Sequence, residues 1–215
     1  MNADNINSEK KTPYLSLEEG RILVHLARRA VVNYLENKST LETSQTTEKL
    51  KQECGVFVTL NKAHSRELRG CIGFPYPESP LTDATIRAAI YAATEDSRFE
   101  PVSIVEFQKS ILLEVTVLTP PQTLRFKDRK KLPDLIQVGR HGLIVEGYGT
   151  SGLLLPQVAV EWRWDSTDFL SNCCLKAGLP PDSWLLEGTI VKVFEGEIFQ
   201  ETKPGGDVQR RSDGE

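Results

Sequence analysis

The side chain best suited to chemistry is Cys71, in the string Leu68-Arg69-Gly70-Cys71-Ile72-Gly73. Gly70 and Gly73 carry no Cβ, so a second backbone or a ligand can come close to the thiol. Arg69 supplies a guanidinium that would favour the thiolate, the form of cysteine that attacks electrophiles. The same residues also fit a small thiol packed beside a tight turn. Covalent chemistry would need a base as well, and His64 and His141 are the candidates. His64 lies in the polar stretch before the string and His141 in Gly139-Arg140-His141-Gly142, and both read more simply as solvated turn residues.

Other chemistries find less support. There is no Cys-x-x-Cys pair, His-Glu-x-x-His helix or carboxylate-rich loop, so no metal site is expected, and no cofactor can be named. Cys173 and Cys174 are adjacent on a predicted helix, point in different directions and read as packing. Gly147-Tyr148-Gly149-Thr150-Ser151-Gly152 has the glycine spacing of a dinucleotide fingerprint. It falls between two predicted strands, however, and the fingerprint needs a helix after it. Trp162 and Trp164 flank Arg163 and could stack a base, but two aromatics in a β segment more often pack.

The elements that must position these residues follow from periodicity. Ser16-x-x-Glu19 is a capping box, and the helix it opens runs to about Tyr34 or Leu35 with an apolar stripe through Ile22, Leu26, Ala30 and Tyr34. Arg21, Arg28 and Arg29 read as its wetter side. Residues 37–52 read as an exposed polar loop. Gly55–Leu60 and Leu68–Gly73 form an antiparallel hairpin, and Ser79-Pro80 supplies an N-cap and first residue for a helix to about Glu95. Ser110–Thr119 alternates with period two, Ile111, Leu113, Val115 and Val117 on one face and Glu114 and Thr116 on the other. Leu143–Glu146 and Leu153–Leu155 make a second hairpin. Asp165 caps a helix over about 166–177 that Gly178 ends, and Gly188–Phe199 is the last strand region. Helices and hairpins without a βαβ rhythm indicate an α+β fold.

Composition sets the outer bounds. The chain has 215 residues, 39% apolar and 26% charged, with no apolar run near the roughly 20 residues that cross a bilayer. Its N-terminus lacks the basic and apolar segments of an export signal, so a cytoplasmic setting is expected, with the four cysteines as thiols. A net charge of -4 argues against a generally basic nucleic-acid binder, while a local basic groove keeps nucleic acid open as a partner.

From Leu68 to Gly73 the sequence resembles the AMMECR-type domain family in its stand-alone archaeal or bacterial form. The likeness continues, in the family's order, through Gly55–Leu60, Asp96-Ser97-Arg98-Phe99, Pro101-Val102-Ser103, Glu114–Pro120, Gly142-Leu143-Ile144, Leu155-Pro156-Gln157-Val158 and Lys176–Leu179. Ser97 stands where proline is common in the family, and Ala159–Trp164 replaces a more usual segment. The resemblance implies an antiparallel sheet packed with helices, a smaller antiparallel β subdomain and a cleft between them. The polar segment 1–15 would precede the domain, residues 16–200 would form it as two interleaved subdomains, and 201–215 would be a disordered tail. Carried onto this chain, Cys71 is the catalytic candidate, and Arg69, Gly70, Gly73, Arg98, Glu114 and Gln157 are the binding candidates. The family has no settled activity. Related domains occur with Memo-like and radical-SAM proteins, which implies a functional link to such partners. This chain has no Cys-x-x-x-Cys-x-x-Cys, so radical chemistry would be a partner's.

Two main functions, with a third beside them, are consistent with these residues. One is an enzyme acting on a small molecule or modified nucleobase, with Cys71 as nucleophile or redox thiol and Arg69 or Arg98 holding an anion. The other is a non-catalytic accessory module that binds a ligand or macromolecular partner in the cleft. A mainly structural role in an assembly is the third.

Overall fold

The computed structural model describes residues 13–42 and 46–211. Its elements follow in the order α1 (Leu17–Asn37), β1 (Val56–Lys62), β2 (Leu68–Phe74), α2 (Leu81–Thr94), α3 (Ile104–Ser110), β3 (Ile111–Leu118), β4 (Gln122–Thr123), β5 (Gly142–Gly147), β6 (Thr150–Leu154), α4 (Pro156–Glu161), α5 (Ser166–Lys176), β7 (Thr189–Phe194), β8 (Gly196–Glu201) and β9 (Val208–Arg211). They build two antiparallel sheets, β2-β1-β3-β8-β9 and β4-β7-β5-β6, so the fold is α+β. Among the described residues, no helix is long and apolar enough to cross a membrane.

The alternation in β3 sets the layering. Leu113, Val115 and Val117 join Val56, Val58 and Leu60 in a core covered by α1 and α2, where Leu23, Ala27, Ala88 and Ala89 are wholly buried. Alanines along α2 keep that helix close to the sheet. The capping box forms as expected: Ser16 Oγ accepts from the Glu19 N–H, and the Glu19 carboxylate accepts from the Ser16 N–H at 2.8 Å. The smaller sheet packs Leu143, Val145 and Val191 against α5 through Phe169, Leu170 and Cys173. Leu118, Ile144 and Phe194, with Phe57, Leu153 and Leu155 against them, make a separate apolar contact between the two sheets.

The chain passes between the sheets twice, after β3 and between β7 and β8. Thr119 N–H donates to the Glu195 carbonyl at 2.8 Å, and Glu195 N–H donates to Thr119 Oγ1 at 2.9 Å, which ties the crossings together. The single strand region expected at Gly188–Phe199 is therefore two strands that belong to different sheets and break at Glu195.

Other expectations are corrected. Helix α2 begins one residue late, at Leu81, because Pro80 is held extended by a bridge to Glu53 while Leu81 N–H bonds the Gln52 carbonyl. Arg28 is not on a wet face: its side chain is 12% exposed, ion-paired to the wholly buried Glu201, and donates to the carbonyls of Phe107 and Ile111. In the stretch read as an exposed loop, Glu48–Lys51 form a 3-10 turn that buries Leu50; residues 43–45 lie outside the described part. The expected disordered tail instead turns at residues 203–206 and adds β9, whose Val208 enters the core. Residues 1–12 and 212–215 lie outside the described part. Trp162 and Trp164 are not in a strand. Trp162 closes α4, is 67% exposed, and stacks on Trp164 with centroids 6.0 Å apart.

Candidate functional site

The face of the larger sheet opposite its helices carries one polar row and, beside it, a mixed one. Residues paired in register across antiparallel strands share a face. Cys71 pairs with Thr59, Thr59 with Glu114 and Glu114 with Gln200. The next row runs Gly73, Phe57, Thr116, Ile198, Arg211. These rows floor a cavity of about 310 Å³, whose far wall comes from the smaller sheet: Gly139 and Arg140 before β5, and Leu155, Pro156 and Gln157 at the junction of β6 and α4.

The string Leu68–Gly73 is β2, an edge strand, and its surroundings explain its residues one by one. At Gly70 a Cβ would lie 2.1 Å from the Ala92 carbonyl oxygen, so only glycine lets α2 sit this close. At Gly73 a Cβ would lie 2.1 Å from the Phe57 ring. Arg69 turns to Glu106, with Nε to Oε1 at 2.7 Å, and to the Glu100 carbonyl at 2.8 Å. The outward-facing peptide groups of Cys71 have no strand beside them, and Asp96 and Arg98 take that strand's place. Cys71 N–H donates to Asp96 Oδ2 at 2.8 Å, and Arg98 donates to the Cys71 carbonyl at 3.3 Å. Arg98 also holds Asp96 through its backbone N–H at 3.2 Å and its Nε at 2.9 Å. With the backbone held from three directions, the Cys71 side chain is what the string presents to the cavity.

Burial pushes the Cys71 thiol up from its ordinary value; the Thr59 hydroxyl, 3.4 Å from Sγ, and the Arg98 charge pull the other way without cancelling it. The arginine expected to favour a thiolate, Arg69, is engaged elsewhere. Glu114 is also pushed up by burial, against the opposing pull of Arg211, whose guanidinium is 3.2 Å away, and of Arg66. The Arg98 hydrogen bonds hold Asp96 well below the usual carboxylate range. Arg140 is set by Glu195, Nε to Oε2 at 3.2 Å.

Of the residues singled out from the sequence, Cys71, Glu114 and Gln157 meet on this cavity. Arg69, Gly70, Gly73 and Arg98 brace β2 from its sides. His64 is exposed in the β1–β2 turn. The ring of His141 accepts from Gln137 N–H at 3.1 Å and lies 4.0 Å from Glu195. Neither imidazole is on the cavity wall. Thr59, Arg140 and Arg211 are wall residues that sequence reasoning missed. The alternation of β1 could have marked Thr59 beside Phe57. Arg211 had no local signal, because its strand is defined by pairing with β8. Among the described residues, no group of three or more His, Cys, Asp or Glu side chains is placed to hold a metal. The wall thus offers a protonated thiol, a carboxyl that keeps its proton to higher pH than usual, hydroxyls, an amide and two guanidinium groups beside an apolar strip.

Comparison with known proteins agrees with this architecture. The chain is 51% identical over 197 residues to a protein of Methanopyrus kandleri, covering 92% of this chain and 95% of that one. It is 51% identical over 199 residues to a protein of Pyrococcus abyssi, covering 91% and 96%. The crystal structure of an uncharacterized protein from Pyrococcus horikoshii superposes with a TM-score of 0.73 at 49% identity, over 93% of this chain and 99% of that one. The family model described as AMMECR1 matches residues 24–199, and with half-identical relatives along nearly its whole length the chain belongs to the AMMECR1 family.

Proposed function

We propose that the protein binds a small organic molecule in the cavity between its sheets, with Cys71, Glu114 and Gln157 as ligand contacts and Arg69, Gly70, Gly73 and Arg98 as the residues that hold β2 in position. The observation that carries this reading is the bracing of β2, which places one thiol, by its backbone, on the wall of a cavity of about 310 Å³. That volume is at the small end of the ~300–1,000 Å³ common for ligand pockets. Converging polar groups beside Phe57, Leu118 and Ile198 are what orient and bury such a ligand.

In this reading Cys71 acts as a neutral hydrogen-bonding thiol, and the protein is a ligand-binding accessory module. An enzyme with a thiolate nucleophile would need the Cys71 proton removed at neutral pH, and burial works against that. Four free thiols fit a reducing, cytoplasmic setting.

The test is the pH dependence of alkylation at Cys71 by a neutral reagent, followed by mass spectrometry on the native protein beside Cys54, Cys173 and Cys174. Cys71 is expected to titrate above the ~8.5 of a free thiol. A midpoint well below that would replace the binding reading with a thiolate enzyme.

A further inference from the structure

We infer that the ligand of this cavity is an organic anion, a compact apolar body bearing one carboxylate or phosphate held by Arg140 and Arg211. The inference rests on the cavity being a ligand site and adds the chemistry of its occupant.

Arg211 ends β9 of the larger sheet and Arg140 precedes β5 of the smaller one, yet both line the same cavity. Each guanidinium is set by a carboxylate more buried than itself: Arg211 is 38% exposed against 10% for Glu114, and Arg140 is 44% exposed against 19% for Glu195. The carboxylates orient the two cations, and both guanidinium side chains line the cavity. A guanidinium has five N–H donors in a planar fork that matches an oxyanion. Two of them from opposite walls favour an anion whose binding bridges the sheets. Arg66 adds positive charge close enough to act on Glu114. The acids Glu114 and Glu195 oppose an incoming anion. Arg211 and the nearby Arg66 offset the charge of Glu114, and Arg140 that of Glu195.

The protein as a whole carries a charge of -4, so a cationic wall does not follow from a generally basic surface. Phe57, Leu118, Leu155 and Ile198 line the rest of the space. They require an apolar or aromatic body rather than a free inorganic ion, and the cavity volume of about 310 Å³ keeps that body small.

The experiment uses the full chain and reads protection of Cys71 from iodoacetamide by benzoate, phenyl phosphate and benzamide, the last a neutral match in shape for benzoate. At least one anion should protect at a concentration about tenfold or more below benzamide, as expected for charge-assisted hydrogen bonds, and raising the salt concentration should weaken that protection. Whichever anion is stronger identifies the carboxylate or the phosphate source. Arg140→Gln and Arg211→Gln should each narrow the gap, while Arg140→Lys should keep much of it. If either glutamine variant does not fold, the salt dependence of the native protein decides. Equal or better protection by benzamide overturns the anion and leaves the cavity a ligand site. Failure of all three probes to protect Cys71 overturns the ligand-site reading and the anion with it.

Discussion

Asp96→Ala tests the side-chain clamp on β2 directly. The Asp96 side chain is 5% exposed, and it accepts from the Cys71 N–H at 2.8 Å while both its oxygens are held by Arg98. Alanine leaves the Cys71 N–H without its acceptor and removes a charged hydrogen bond, a loss of about 2–3 kcal/mol. For a chain of this size that lowers the unfolding midpoint by roughly 5–10 °C. Arg98→Ala should cost about 1 kcal/mol or less, because Arg98 is 55% exposed and water can take its place. The pH dependence has a definite sign. The folded Asp96 carboxyl lies well below its unfolded value of ~3.9, so its contribution is fully present above about pH 5 and fades as the pH falls below about 4. The gap between wild type and Asp96→Ala should close over that acid range. Denaturant unfolding gives the stability, and hydrogen exchange at the Cys71 amide with its alkylation rate gives the local effect. Both local rates should rise more than those at Cys54 or Cys173. Unchanged stability with unchanged exchange at Cys71 would refute the clamp.

Three further outcomes are expected. Gly70→Ala should destabilise by about 3 kcal/mol, since its Cβ meets backbone at Ala92, and Gly73→Ala by about 1–2 kcal/mol, since the Phe57 ring can move into the cavity; the order of their urea midpoints checks this. Arg28→Ala should cost roughly 3–5 kcal/mol by leaving the wholly buried Glu201 unpaired, again measured in urea. Burial raises Glu114, so the wild type loses stability as the pH climbs above the unfolded value of ~4.3. Glu114→Gln lacks that loss, and its stability relative to wild type should improve between about pH 4 and 7, as unfolding curves at both ends will show.

Much of the fold was legible in local patterns. The capping box at Ser16 and the alternation of Ile111–Leu118 depend on spacings within a few residues and form where periodicity places them. The second hairpin forms too, but its return strand starts at Thr150 rather than Leu153, because the turn closes in two residues, Tyr148 and Gly149. Arg28 was misread because burial of a charged residue depends on what packs over its helix, here Phe107 and Glu201. Strand β9 was missed because its polar residues are ordered by hydrogen bonds to β8, which composition does not express.

For the site, the sequence by itself determined that Cys71 sits in a glycine-flanked string and that Glu114 and Thr116 lie on the polar face of β3. Both follow from steric and alternation rules that act along the chain. Only the tertiary structure decided which groups share a cavity, since Cys71, Glu114, Arg140, Gln157 and Arg211 come from both sheets and meet only when the chain has crossed between them at Thr119 and Glu195. It also decided the charge state that the thiol favours. Sequence proximity put Arg69 beside Cys71, but in space Arg69 is paired with Glu106, and burial, a property of the assembled sheets, keeps the thiol protonated.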